Sequence, residues 1–155
     1  MSSNDGNSST SGRWAGERRG RNRSRPSTVS NDVKVKAAGK RRWFVPDAYL
    51  PAESSHGLES HEAACLLNVS DEDAAATFTF YFEDREPIAD VILSLGARRT
   101  RHVRLDRADD LGAELPRGTP FAYAVESDVP IVLQHSRLDT TAGGYTLITT
   151  IAYSE

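Results

Sequence analysis

Thr77-Phe78-Thr79-Phe80-Tyr81-Phe82 decides the fold. Residues of strict alternation on an extended chain put Phe78, Phe80 and Phe82 on one face and Thr77, Thr79 and Tyr81 on the other, which is a strand with a core face and a solvent face. Working outward, Glu83-Asp84-Arg85-Glu86-Pro87 is a turn, and Ile88 to Leu95 resumes the β pattern before Gly96. On the N-terminal side, Glu62 to Val69 is a run that ends at the turn Ser70-Asp71-Glu72-Asp73, and Trp43-Phe44-Val45 is a short run that stops at Pro46. On the C-terminal side come Arg98 to Leu105, Phe121 to Val125, Val129 to Arg137 and Tyr145 to Tyr153. Helical spacing never persists for three turns, although Arg107 to Leu115 suits a short helix. About eight short strands with loops of variable length predict an all-β antiparallel β-sandwich, jelly-roll-like in type.

The charge divides at Trp43. Residues 1–42 carry eleven Lys or Arg against three acids, a net +8, whereas residues 43–155 carry eight Arg and no Lys against nineteen acids, a net −11. With scarcely an aliphatic side chain before Val29, the first segment buries too little to offset backbone entropy of roughly 1 to 2 kcal/mol per residue. Residues 1–42 are therefore expected to be a disordered basic tail and residues 43–155 the folded domain. The tail offers phosphates weak, salt-dependent, sequence-independent attraction but no base-reading geometry, since aromatic residues do not interleave its arginines. No run approaches the ~20 apolar residues of a membrane-spanning helix, and no apolar stretch follows Arg18-Arg19 as an export signal requires. The single cysteine, Cys65, excludes an internal disulfide and a Cys-x-x-Cys pair. A cytoplasmic protein is expected, with Cys65 as an inert buried thiol.

Three constellations carry chemistry. Ala97-Arg98-Arg99-Thr100-Arg101-His102-Val103-Arg104 holds four of the eight body arginines, with Arg99, Arg101 and Val103 on one face and Arg98, Thr100, His102 and Arg104 on the other. Guanidinium forks pair with carboxylates or phosphates, so the strand either binds an anion or forms structural ion pairs within or between subunits. In Val129 to Asp139 the apolar stripe of Ile131 and Leu133 leads into His135 and Arg137 on the same face, beside Gln134. Ser60-His61-Glu62 lies where a loop enters a strand, but three adjacent residues on an extended chain alternate in direction and cannot form a local triad. His61, His102 and His135 are chemically suitable for zinc, yet no His-x-His pair brings two ligands to one face. Neither a phosphate loop nor a nucleophile elbow occurs. No catalytic residue, metal or cofactor is expected, and the protein is read as not an enzyme. A small-ligand site is expected among His61, Glu62, Arg99, His102, Arg104, Gln134, His135 and Arg137, whose mixture of groups suits a sugar-like polyol or a small anion.

These stretches also carry a resemblance. Ser60-His61-Glu62, Cys65-x-Leu67-Asn68, Asp71-Glu72-Asp73-Ala74, the arginine strand 97–104, Val129-Pro130-Ile131-Val132-x-Gln134-His135-x-Arg137-Leu138-Asp139 and Thr150-Ile151-Ala152-Tyr153 resemble the soluble sensory rhodopsin transducer family in the same order, together with Trp43, Tyr49-x-Pro51 and Glu86-Pro87. The resemblance covers residues 43–155. It implies a jelly-roll-like sandwich, a homotetramer, a cytoplasmic location, a membrane rhodopsin as partner in some members, and no enzymatic activity. The expected function is a non-catalytic signalling and binding module. The alternatives are a sugar-binding accessory protein of carbohydrate metabolism unrelated to light, and a DNA-binding regulator that uses the tail.

Overall fold

Parity along β3 (Ala74–Tyr81) organises the molecule: Ala74, Ala76, Phe78 and Phe80 are buried while the residues between them face outward. In the computed structural model, which describes residues 36–55, 57–141 and 144–155, β3 belongs to one of two antiparallel sheets. The first sheet runs β4 (Ile88–Leu95), β3, β6 (Pro120–Asp139), β1 (Lys40–Tyr49), β8 (Tyr153–Ser154). The second runs β5 (Arg99–Arg104), β2 (His61–Asn68), β6, β7 (Thr146–Ile151). Between them lies one core that joins Phe78, Phe80, Phe121 and Tyr123 to Ala64, Leu66, Val103 and Leu133. Each large side chain buried there contributes about 1.5 to 3 kcal/mol. The all-β sandwich expected from the sequence is the fold observed.

The strand count agrees for a different reason. Phe121 to Val125 and Val129 to Arg137, expected as separate strands, are parts of the single strand β6 of 20 residues. Glu126-Ser127-Asp128 continues the ladder instead of turning it, because Glu126 and Ser127 pair with Thr77 and Ala76 of β3. Its first part pairs with β1 and β3, and from Val132 onward it pairs with β2. The run Tyr145 to Tyr153 instead divides at Ala152 into β7 and β8, which lie in different sheets. The short helix is α1 (Ala108–Leu111), closed by Gly112 in the left-handed conformation.

Two further expectations need correction. β1 does not stop at Pro46. Val45 pairs with Tyr123 and Ala48 with Phe121, so one extra residue is accommodated in a bulge at Pro46-Asp47. The bulge shifts the buried parity from Trp43 and Val45 to Ala48 and Leu50. β1 also begins at Lys40, inside the segment assigned to the tail: Arg42 lies opposite Glu126 in the ladder and forms ion pairs with Glu126 and Glu155. Residues 1–35 of the expected tail lie outside the described residues. No helix among the described residues is long and apolar enough to cross a membrane.

Candidate functional site

β2 turns Glu62, Ala64, Leu66 and Asn68 inward, and β6 turns Ile131, Leu133, His135 and Arg137 inward. The register places Glu62 opposite Arg137 and Ala64 opposite His135, so three of the eight expected site residues meet inside the sandwich. Glu62 is fully buried. Its Oε1 accepts hydrogen bonds from Arg137 Nε at 2.6 Å and from the Tyr49 backbone N–H at 2.8 Å. Its Oε2 lies 2.6 Å from His135 Nε2, a close contact outside hydrogen-bond alignment. On its other side His135 Nδ1 lies 3.1 Å from the Tyr123 hydroxyl, within hydrogen-bond distance. Burial, and then the Glu62 charge, push the Tyr123 hydroxyl far above the ordinary tyrosine range, so it remains a donor. Burial opposes the Arg137 charge, but the Glu62 hydrogen bond and the carboxylates of Glu62, Asp47 and Asp139 more than offset it and hold the guanidinium above its usual range.

His135 and Arg137 of this cluster form the polar floor of a cavity of about 350 Å³ between the two sheets. The β1 bulge supplies Pro46 and Asp47, and the walls are Phe44, Val45, Ile148, Thr150, Ile151, Ala152 and Tyr153. Asp47 Oδ2 stands 3.5 Å from Arg137 Nη2. Both nitrogens of His135 face protein partners, so the ring positions Glu62 and offers the cavity carbon surface only.

The other five expected residues do not join them. His102 and Gln134 lie on the outer face of the second sheet, opposite Cys65 in adjacent strands, and line a separate hollow of about 300 Å³. Cys65 is thus half-exposed on that face, because its neighbours Ala64 and Leu66 take the core parity. His61 Nδ1 bonds the Glu59 carbonyl at 2.9 Å. Arg99 is exposed and bonds the Arg98 carbonyl at 3.0 Å. Arg104 forks onto Asp106 with two bonds of 2.7 Å. Of the two readings of the arginine strand, structural pairing is what its contacts display. Arg98 pairs with Asp71, Arg101 donates to the carbonyls of Ser94 and Asp110, and Arg104 and Arg117 enclose the buried Asp106. Burial raises the Asp106 carboxyl, but the Arg104 hydrogen bond and the charges of Arg104 and Arg117 hold it below its ordinary range. A larger hollow of about 610 Å³ borders Asp106 and Arg117, but those groups already satisfy one another. Ser60 Oγ and Thr140 Oγ1, 3.0 Å apart, fasten a loop to the end of β6. Among the described residues, no group of three or more His, Cys, Asp and Glu is placed to hold a metal. His135 points inward while His102 points outward.

Sequence reasoning missed Asp47, Tyr49, Tyr123 and the β7 wall. The usable signal for Asp47 was Pro46, since a proline in an otherwise regular strand marks an edge or a bulge.

A small two-sheet protein with a buried Glu-Arg-His-Tyr network under an apolar cavity is the class that this geometry defines. The family model described as Anabaena sensory rhodopsin transducer matches residues 38–154. The chain belongs to this family. A crystal structure of a Thermotoga maritima protein is 42% identical, covers 76% of this chain and 96% of its own, and superposes with a TM-score of 0.67. The Anabaena sensory rhodopsin transducer is 41% identical, covers 67% of this chain and 92% of its own, with a TM-score of 0.59. No curated protein matches the chain.

Proposed function

We propose that this protein is a non-catalytic, cytoplasmic binding and signalling module that senses a small ligand in the cavity over Glu62, Arg137 and His135, and relays a signal from a membrane rhodopsin where one is present. The single observation that carries the binding half is the floor of that cavity: Arg137 and His135, backed by the buried Glu62, lie under largely apolar walls, an arrangement for holding a ligand. His135 turns its two nitrogens to Tyr123 and Glu62, and the Thr150 hydroxyl in the wall donates to the Ile151 carbonyl at 3.2 Å, so an activated nucleophile has no base there. The relay half rests on membership of the transducer family.

Self-association as a homotetramer belongs to this reading. Leu67, Leu147 and Ile151 are exposed large apolar residues on the outer face of the second sheet, and a second copy is a fitting cover for them. The experiment for the relay is spectroscopic: a microbial rhodopsin from the same cell, held in nanodiscs, is flashed with and without the protein. A changed photocycle lifetime supports the relay. Unchanged lifetimes together with no binding in calorimetry would remove it and leave the module as a ligand binder alone.

A further inference from the structure

We infer that the cavity takes a small zwitterion with an apolar side chain, an α-amino acid of the leucine or phenylalanine kind. This deepens the reading of the cavity as a ligand site and rests on it.

The charges select the ligand. Arg137 Nε is committed to Glu62, but Nη2 is buried and makes no hydrogen bond among the described residues. Its near carboxylate, Asp47, stands at 3.5 Å, beyond the usual range of about 2.7 to 3.2 Å for such a bond. The Asp47 side chain is 83% exposed and free to swing at the rim. The floor therefore has a donor that lacks an acceptor, beside a carboxylate that lacks a close donor. A simple anion would satisfy Arg137 and add a third carboxylate next to Glu62 and Asp47, with one guanidinium to serve all three. A simple amine would satisfy Asp47 and leave Nη2 without a partner. A zwitterion meets both, with its carboxylate on Arg137 and its ammonium on Asp47, and brings no net charge into the cavity.

The remaining walls choose the side chain. Phe44, Ile148 and Tyr153 line the rest of the space, which suits a hydrocarbon or an aromatic ring better than the hydroxyls of a polyol. A volume of about 350 Å³ has room for one amino acid of that kind. His135, with both nitrogens turned to protein partners, completes the wall as a flat ring.

Calorimetry and backbone-amide NMR on the full chain test this with L-leucine, L-phenylalanine, isocaproate (the leucine skeleton without the ammonium), isoamylamine (without the carboxylate) and glucose. Leucine is expected to bind and to shift the Ile148 and Tyr153 resonances, with each truncated analogue at least about tenfold weaker. Asp47→Asn, at an exposed position, should bring leucine to the level of isocaproate. Equal binding of leucine and either analogue overturns the zwitterion assignment, as does unchanged leucine affinity in Asp47→Asn. If glucose alone shifts those resonances, the ligand class fails while the cavity remains a binding site. If leucine, phenylalanine and glucose all leave them unmoved, both fail.

Discussion

Glu62 concentrates the risk in this protein, because three groups depend on one buried carboxylate: Arg137, His135 and the Tyr49 backbone N–H. Removing one partner of a buried ion pair leaves the other uncompensated, at a cost of about 3 to 5 kcal/mol. Glu62→Ala is expected to lose that much in urea denaturation, and a loss below about 1 kcal/mol would show that the network is not charged as described. Gly39 makes a different demand. Its φ is +102°, and an added Cβ would lie 1.9 Å from the Ile131 carbonyl oxygen, a backbone atom that cannot simply turn aside. Gly39→Ala should cost about 1 to 3 kcal/mol, measurable as a lowered denaturation midpoint. Asp106 sets an acid limit. Its folded carboxyl titrates below the ordinary value of 3.8, so on acidification the unfolded chain takes up the proton first. The stability from this pair is complete above pH ~4 and drains away as pH falls through the lower folded value. Asp106→Asn should be less stable at neutral pH and flatter in its acid limb, and an unchanged acid limb would discount the Arg104 and Arg117 pairing. Glu62 was legible only as a polar residue where a loop enters a strand, and Arg137 by parity with Leu133. Asp47 was not, since only the bulge gives it its position.

At the scale of elements, β7 is the anomaly. All six of its residues are exposed, with Leu147 at 71% and Ile151 at 60%, although it pairs with β6 along its whole length. A strand that is apolar yet uncovered on both faces is a liability unless something covers it. If a second copy does so, Leu147→Lys combined with Ile151→Lys should shift light scattering from an oligomeric to a monomeric mass while the far-ultraviolet circular dichroism stays β-rich. An oligomer that survives both changes would place the contact elsewhere. Alternation made β3 and β4 readable, because each has a core face and a solvent face. It misled at β6, where the polar triplet Glu126-Ser127-Asp128 looks like a turn but is paired with β3 in part and supplies Asp128 Oδ1 to the Ala75 N–H at 2.7 Å. Which sheet each strand joins was not legible, since pairing depends on contacts far apart in sequence.

For the whole molecule, the opposed charges of the two segments predict separable behaviours. A chain shortened to begin at Lys36 should keep the denaturation midpoint of the full protein and lack the salt-sensitive affinity for DNA that the sequence leads one to expect of the basic segment, followed by fluorescence anisotropy. DNA affinity retained by the shortened chain would move that property to the sandwich, against a net charge of −11 over residues 43–155. The length of β6 has a consequence of another kind. Because its N-terminal part is ladder partner to β1 and β3 and its C-terminal part to β2 and β7, neither sheet can be completed without the same 20 residues. Loss of either end frees the other, so the two sheets cannot open as independent foldons, and slow amide exchange in β2 and β3 should report a common opening free energy. A ligand held against His135 and Arg137 therefore protects Phe78 and Val125 from exchange as well, through the one strand that both sheets own in common.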